Sequence, residues 1–316
     1  MSAHRCGLLP ARLVDRSKDR LCVHAIMEYS GNMPEYIAPN PADPAYDFLR
    51  GKPQEIVTAY ASPRLLVVGA HGTEHLAARV AHHIVTERPD LLPHVDYMCG
   101  TPQAAAATPQ LRYTGEHEED PQKRGSDFNR SFGLQRPPRT PEELRAAVWL
   151  GPMREYAHVL DVHTTTTSAG PEGKHFLVAR PRLPEVREIV GASSIRRVVV
   201  MPWDIARPSL IGQVERAASI EYNQHVAARP ESVREIIAII DNLIAGRRHE
   251  EGPLDRKFYE VERAVPVHED PGEVDNFVWH EAGGYYPIMF GENSYRKDPT
   301  KQYLGFAAAR SEIVRI

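Results

Sequence analysis

Nowhere in the 316 residues does an apolar run approach the roughly 18–20 residues that a bilayer-spanning helix needs. Cysteine is scarce. Cys6, Cys22 and Cys99 are odd in number and lack CxxC spacing, which argues against a disulfide framework and fits a reducing compartment. There is no surplus of basic charge: the formal net charge is −4, whereas a phosphate-backbone binder usually carries a basic domain. The chain has no Gly-x-Ser-x-Gly nucleophile elbow and no glycine-rich phosphate loop. Its first twenty residues, MSAHRCGLLPARLVDRSKDR, are basic but without a continuous apolar core or a small-residue cleavage site. These absences set the expectation of a cytoplasmic protein with no nucleic-acid or membrane partner.

What is present reads as an α/β chain. Residues 1–60, with GNMPEYIAPNPADPAYDFLRGKP, carry closely spaced prolines and turn residues and no lasting periodicity, which favours an irregular extension. From residue 64 the pattern sharpens. RLLVVG, HVDYMCG, HVLDV, HFLVA, RRVVVM and AASIEY are short apolar runs of strand length. Between them lie helical patterns. LAARVAHHIVTERPD reads as a helix ended before Pro89, and PEELRAAVWLGPMREYA (141–157) opens with proline and acids in its first turn. SVREIIAIIDNLIAG carries an apolar stripe and places Gly246 where a helix C-cap is expected. This alternation predicts a mainly parallel sheet flanked by helices over residues 61–250. Residues 251–316, including KFYEVERAVPVHED and FVWHEAGGYYPIMFGE, read as a small β-rich C-terminal domain.

Polar residues gather at predicted strand ends. GAHGTE puts His71 and Glu74 after the first strand, LDVHTTTT puts His163 after another, and SIEY puts Glu221 at the end of a third. In open α/β sheets, ligands bind outside the carboxyl ends of the strands. Two imidazoles and a carboxylate are the three protein donors of a catalytic zinc site, whose fourth position stays open. Glu221 has no place in that set and suits a general base. GSDFNRSF adds Asn129 and Arg130, LRYTG adds Arg112, and GENSYRKD adds Tyr295. Arginine's planar fork suits carboxylate binding.

Taken in order, GAHGTE, TPQAAAATPQLRYTG, DFNRSF, LDVHTTTT, SIEY and YYPIMFGENSY resemble the aspartoacylase and succinylglutamate desuccinylase family, relatives of the zinc carboxypeptidases. The motifs span residues 64–296. The resemblance implies a zinc-carboxypeptidase-like fold and one zinc ion per chain held by His71, Glu74 and His163. It also implies Glu221 as general base, Arg112 polarising the scissile carbonyl, and Asn129, Arg130 and Tyr295 binding substrate. The implied activity is hydrolysis of the amide bond of an N-acyl amino acid, a small-molecule partner; a homo-oligomer is compatible with it. The C-terminal domain would contribute to the site.

The chain departs from the family pattern in three places. It carries extra residues, GEHEEDPQKRGS among them, between LRYTG and DFNR. Near Ile211 the family has a second substrate-binding arginine, for which Arg207 or Arg216 are imperfectly aligned substitutes. After the base come Tyr222-Asn223-Gln224 in place of Gly-Pro. Alternative readings are a zinc carboxypeptidase acting on a short peptide and a non-catalytic zinc-binding family member. Asp161, two residues before His163, points the same way along a strand and could orient its imidazole. Thr164 to Thr167 read equally as a hydroxyl lining or a β-prone turn. His75, His82 and His83 read as surface or packing residues, His175 as a strand-end residue, and Cys99 as a buried small hydrophobe.

Overall fold

The computed structural model describes residues 55–56, 65–106, 111–115, 118, 125–165, 173–249, 254–291 and 303–316. The expected extension over residues 1–60 lies outside them except for Glu55–Ile56, as does Tyr295.

The strands are β1 (Glu55–Ile56), β2 (Leu65–Gly69), β3 (Val95–Cys99), β4 (His158–Thr165), β5 (Lys174–Ala179), β6 (Arg197–Met201), β7 (Ala217–Asn223), β8 (Asp255–Pro266), β9 (Tyr286–Ile288) and β10 (Tyr303–Arg315). They form one ten-stranded sheet in the order β1-β3-β2-β4-β7-β5-β6-β8-β10-β9. Strands β3, β2, β4 and β7 run parallel, so their carboxyl ends share one edge of the sheet. β5 is antiparallel to β7, and β6 and β8 follow β5 in parallel. The amino ends of β5, β6 and β8 therefore lie at that same edge.

Continuous apolar runs mark strands covered on both faces. All five residues of β2 are buried, and they alternate between the faces. Leu65 and Val67 pack with helices α1 (Leu76–Glu87) and α3 (Pro230–Ile244) through Leu76, Val80, Ile84, Ile236 and Ile240. Leu66 and Val68 pack on the opposite side with helix α2 (Pro141–Met153) through Ala146 and Met153, and with Phe128, Phe132, Tyr259 and Phe277. Each fully buried aliphatic side chain contributes about 1.5–3 kcal/mol of transfer free energy. Gly246 takes φ +60° just past the end of α3, the left-handed stop read from the sequence.

The acids opening α2 do more than favour its amino end. Thr140 caps the helix by accepting from the Glu143 amide, while the buried Glu143 carboxylate pairs with Arg136. Glu142 accepts from the amides of Thr114 (2.9 Å) and Ser126 (3.2 Å), and so ties together the two sides of the charged loop.

The C-terminal β region continues the main sheet. β8 pairs with β6 from Arg197 opposite Lys257 to Val200 opposite Glu260, and β10 pairs along almost all of β8. Arg256, fully buried at the start of β8, donates to the carbonyls of Ser193, Ile195 and Ile316. Burial and the nearby Arg196 and Arg248 lower its pKa to about 10, which leaves it charged at neutral pH. No helix among the described residues is long and apolar enough to cross a membrane.

Candidate metal centre

β2 ends at Gly69, and the chain turns through Ala70–His75 before α1 begins. The Glu74 amide donates to the His71 carbonyl at 3.1 Å, and the turn presents both side chains at the carboxyl edge of the sheet. Only a glycine fits at position 72. A Cβ there would lie 2.4 Å from both the Ala105 nitrogen and the Leu111 oxygen. That close approach lets the Gly72 amide donate to the Arg112 carbonyl at 3.2 Å and docks the Arg112 segment on the turn.

β4 neighbours β2, which brings His163 to the same place. The Glu74 carboxylate lies between the two imidazoles, with Oε1 2.7 Å from His71 Nδ1 and Oε2 2.9 Å from His163 Nδ1. One donor atom from each of His71, Glu74 and His163 falls within 4.8 Å of the others, and all three side chains are buried. The ring centroids of the two histidines are 5.0 Å apart.

Each distal ring nitrogen faces its own carboxylate. His163 Nε2 is 2.7 Å from Asp161 Oδ2, which also accepts from the Ser219 hydroxyl at 2.9 Å. His71 Nε2 is 2.9 Å from Asp127 Oδ1. In the tautomer whose Nε2–H donates to a carboxylate, each Nδ1 lone pair is left to the shared centre, the arrangement carboxylates impose on metal-ligating histidines.

The electrostatics agree. Burial alone would raise the Glu74 pKa, but the flanking His71 and His163 reverse this and hold it well below the usual carboxylate range. Burial lowers the His163 pKa, yet Asp161, Glu74 and Glu221 together lift it well above 6.5. A buried centre that favours this much positive charge suits a divalent cation, which displaces the Nδ1 proton when it binds. The residues therefore fit a metal ion of the kind bound by mixed nitrogen and carboxylate donors.

Glu221 lies one strand further along, in β7. It is directly opposite His163 in the parallel ladder, on the same face, and 6% exposed. Arg112 donates from Nη1 to Glu74 Oε1 (3.2 Å) and from Nη2 to Asp127 Oδ2 (3.5 Å). Asn129 is fixed by the Leu210 amide, which donates to its Oδ1 at 3.1 Å, and its Nδ2 comes within 3.2 Å of His163 Nε2. Arg130 follows it at the end of the short turn Phe128–Arg130 and is half-buried. Six of the expected residues thus meet at one edge, Arg130 adjoins them in the chain, and Tyr295 lies outside the described residues.

Ile211 is buried in the core, and Arg207 and Arg216 are exposed. Arg216 directly precedes β7, five residues before Glu221, so at about 3.3 Å per residue it sits near the opposite edge of the sheet. Asp127 was missed as a partner of His71. Its signal was a carboxylate two residues ahead of Asn129 in DFNR, and only the folded chain shows which histidine it meets.

Compared by sequence, the chain matches no family model and no curated protein. Compared by structure, it shares its fold with solved deacylases. Murine aminoacylase 3 aligns with TM-score 0.53 and 18% identity over 81% of this chain and 97% of that one. Succinylglutamate desuccinylase from Vibrio cholerae aligns with TM-score 0.55 and 16% identity over 82% and 86%. The Chromobacterium violaceum enzyme aligns with TM-score 0.53 and 15% identity over the same shares.

Proposed function

We propose that the chain is a zinc-dependent hydrolase of linear amide bonds, acting on N-acyl amino acids to release a carboxylic acid and a free amino acid. The observation that carries the reading is the convergence of His71 Nδ1, His163 Nδ1 and the Glu74 carboxylate directly across the β ladder from Glu221. The names of the structural neighbours support it, since both an aminoacylase and a desuccinylase cleave acyl–amine bonds.

A zinc ion held by His71, Glu74 and His163 would supply Lewis acidity, lowering the pKa of a water and polarising a carbonyl. The chain's own residues carry the remaining steps. Glu221 accepts a proton from the attacking water and returns it to the departing amine nitrogen, so one water is consumed per amide cleaved. Arg112 places positive charge where the carbonyl oxygen becomes an oxyanion. Asn129 and Arg130 hold the carboxylate of the amino acid, through an amide donor and a planar fork. Asp161 and Asp127 keep the imidazoles in one tautomer and orientation.

Hydrolysis of a panel of N-acetyl, N-formyl and N-succinyl amino acids, assayed with zinc and after chelation, tests the proposal. Activity should vanish on chelation and return with Zn²⁺. Glu221→Gln should keep zinc and lose about 10²–10⁴-fold in kcat, the usual contribution of a general base. A zinc-replete Glu221→Gln protein with near wild-type turnover would refute the assigned base.

A further inference from the structure

Beyond Glu221 the edge of the sheet continues with a residue the mechanism does not use. His175, second in β5, pairs directly with Glu221 in the antiparallel ladder. Residues opposite one another share a face, so His163, Glu221 and His175 stand in a row on three adjacent strands. His175 is 1% exposed, and among the described residues neither of its ring nitrogens has a hydrogen-bond partner. Two unmet polar atoms in a core are costly and need an explanation.

The surroundings keep this imidazole neutral and in place. Burial, with the nearby positive charge of Arg197, lowers its pKa to about 3. Its ring meets Phe277 edge-on, with centroids 5.0 Å apart, and the Arg197 guanidinium lies 5.0 Å from the same Phe277 ring. Phe277 itself adopts φ +68°, a conformation that a bulky side chain rarely takes. Hydrogen bonds on both sides hold it there. The Phe277 amide donates to the Pro287 carbonyl (2.8 Å), and the buried Asn276 exchanges hydrogen bonds with the Phe290 backbone. Strain over-determined in this way clusters at ligand-facing positions.

We propose that His175 is a specificity-determining residue that hydrogen-bonds a polar group on the substrate beside the bond that Glu221 serves. The inference rests on the amide-hydrolase reading above and names what that site selects. His175, 1% exposed, stands beside His71, Glu74, His163 and Glu221, which must meet substrate and are themselves only 3–6% exposed. A neutral imidazole offers one N–H and one lone pair. It therefore selects a substrate whose side chain carries an uncharged donor and acceptor, such as a hydroxyl or carboxamide. A wholly apolar side chain leaves both nitrogens unmet and is rejected.

The test compares wild type, His175→Gln and His175→Phe on N-acetyl derivatives of serine, asparagine, glutamine, leucine and phenylalanine. All proteins are zinc-loaded and checked for zinc content and thermal midpoint. Wild type should prefer the hydroxyl and carboxamide substrates. His175→Phe should lose about 10–100-fold in kcat/KM on those alone, chiefly through KM, while leucine and phenylalanine substrates hold or gain. His175→Gln, which keeps a donor and an acceptor, should retain most of the preference. An equal loss on every substrate would overturn the proposal and leave His175 a packing residue, as would an unchanged profile in His175→Phe. A wild-type enzyme with no activity on any acyl amino acid would instead count against the underlying reading.

Discussion

Asp161 takes no part in the proposed chemical steps, yet it should govern metal affinity. Its Oδ2 receives His163 Nε2–H at 2.7 Å and the Ser219 hydroxyl at 2.9 Å, and the residue is fully buried. Replacing it with alanine takes away the acceptor that both donors share. Loss of such an outer partner typically weakens metal binding 10–100-fold, which at 1.36 kcal/mol per decade is about 1.4–2.7 kcal/mol. Complete burial places Asp161→Ala at the upper end. Asp161→Asn keeps an oxygen that can accept from Nε2 but loses the charge that makes the bond strong, so it should fall near tenfold. Competition for Zn²⁺ against a chromophoric chelator at neutral pH measures both, with far-UV circular dichroism confirming the fold. Wild-type affinity in Asp161→Ala, to within threefold, would show that His163 is not oriented through this carboxylate.

Gly72→Ala should destabilise the protein by about 1–3 kcal/mol, because the new methyl meets backbone at 2.4 Å on two sides. Denaturant unfolding checks the stability loss, and a parallel fall in zinc-dependent activity would trace it to the displaced Arg112 segment. His175 makes a pH prediction of definite sign. Its folded pKa of about 3 lies below the ordinary histidine value of 6.5, so only the unfolded chain takes up this proton between those values. The stability it contributes is complete above about pH 6.5 and declines as pH falls toward 3, by up to about 1.4 kcal/mol per pH unit. In His175→Phe that component should be missing, and unfolding followed from pH 7 to pH 4 should show a shallower acid decline than wild type.

Much of the α/β core was legible because its signals are local. LLVVG and the VVVM of β6 are buried on both faces, and such segments read as unbroken apolar runs. The strand order was not legible. Nothing in HFLVA reveals that β5 lies between β7 and β6 and runs antiparallel to β7, and that placement is what puts His175 opposite Glu221. The C-terminal strands read as a small β-rich region, but the pairing of Arg197 with Lys257 that joins β8 to β6 leaves no periodic trace. His71, Glu74 and His163 stood out through residue type at strand ends. Asp127 and Glu142 did not, since the partners of a carboxylate in a loop or in a helix's first turn are a matter of tertiary approach alone.

The ligand set also has a topological side. Glu74 and His163 are 89 residues apart in the chain, yet they meet at the ends of neighbouring strands near the middle of the sheet. An ion bound to both is a cross-link that closes a long loop. By the chain-entropy relation for cross-links, a loop of that length restricts the unfolded chain by on the order of 4–5 kcal/mol. Metal loading would then fasten β2 to β4 as firmly as a disulfide might, in a chain that has almost no cysteine to make one.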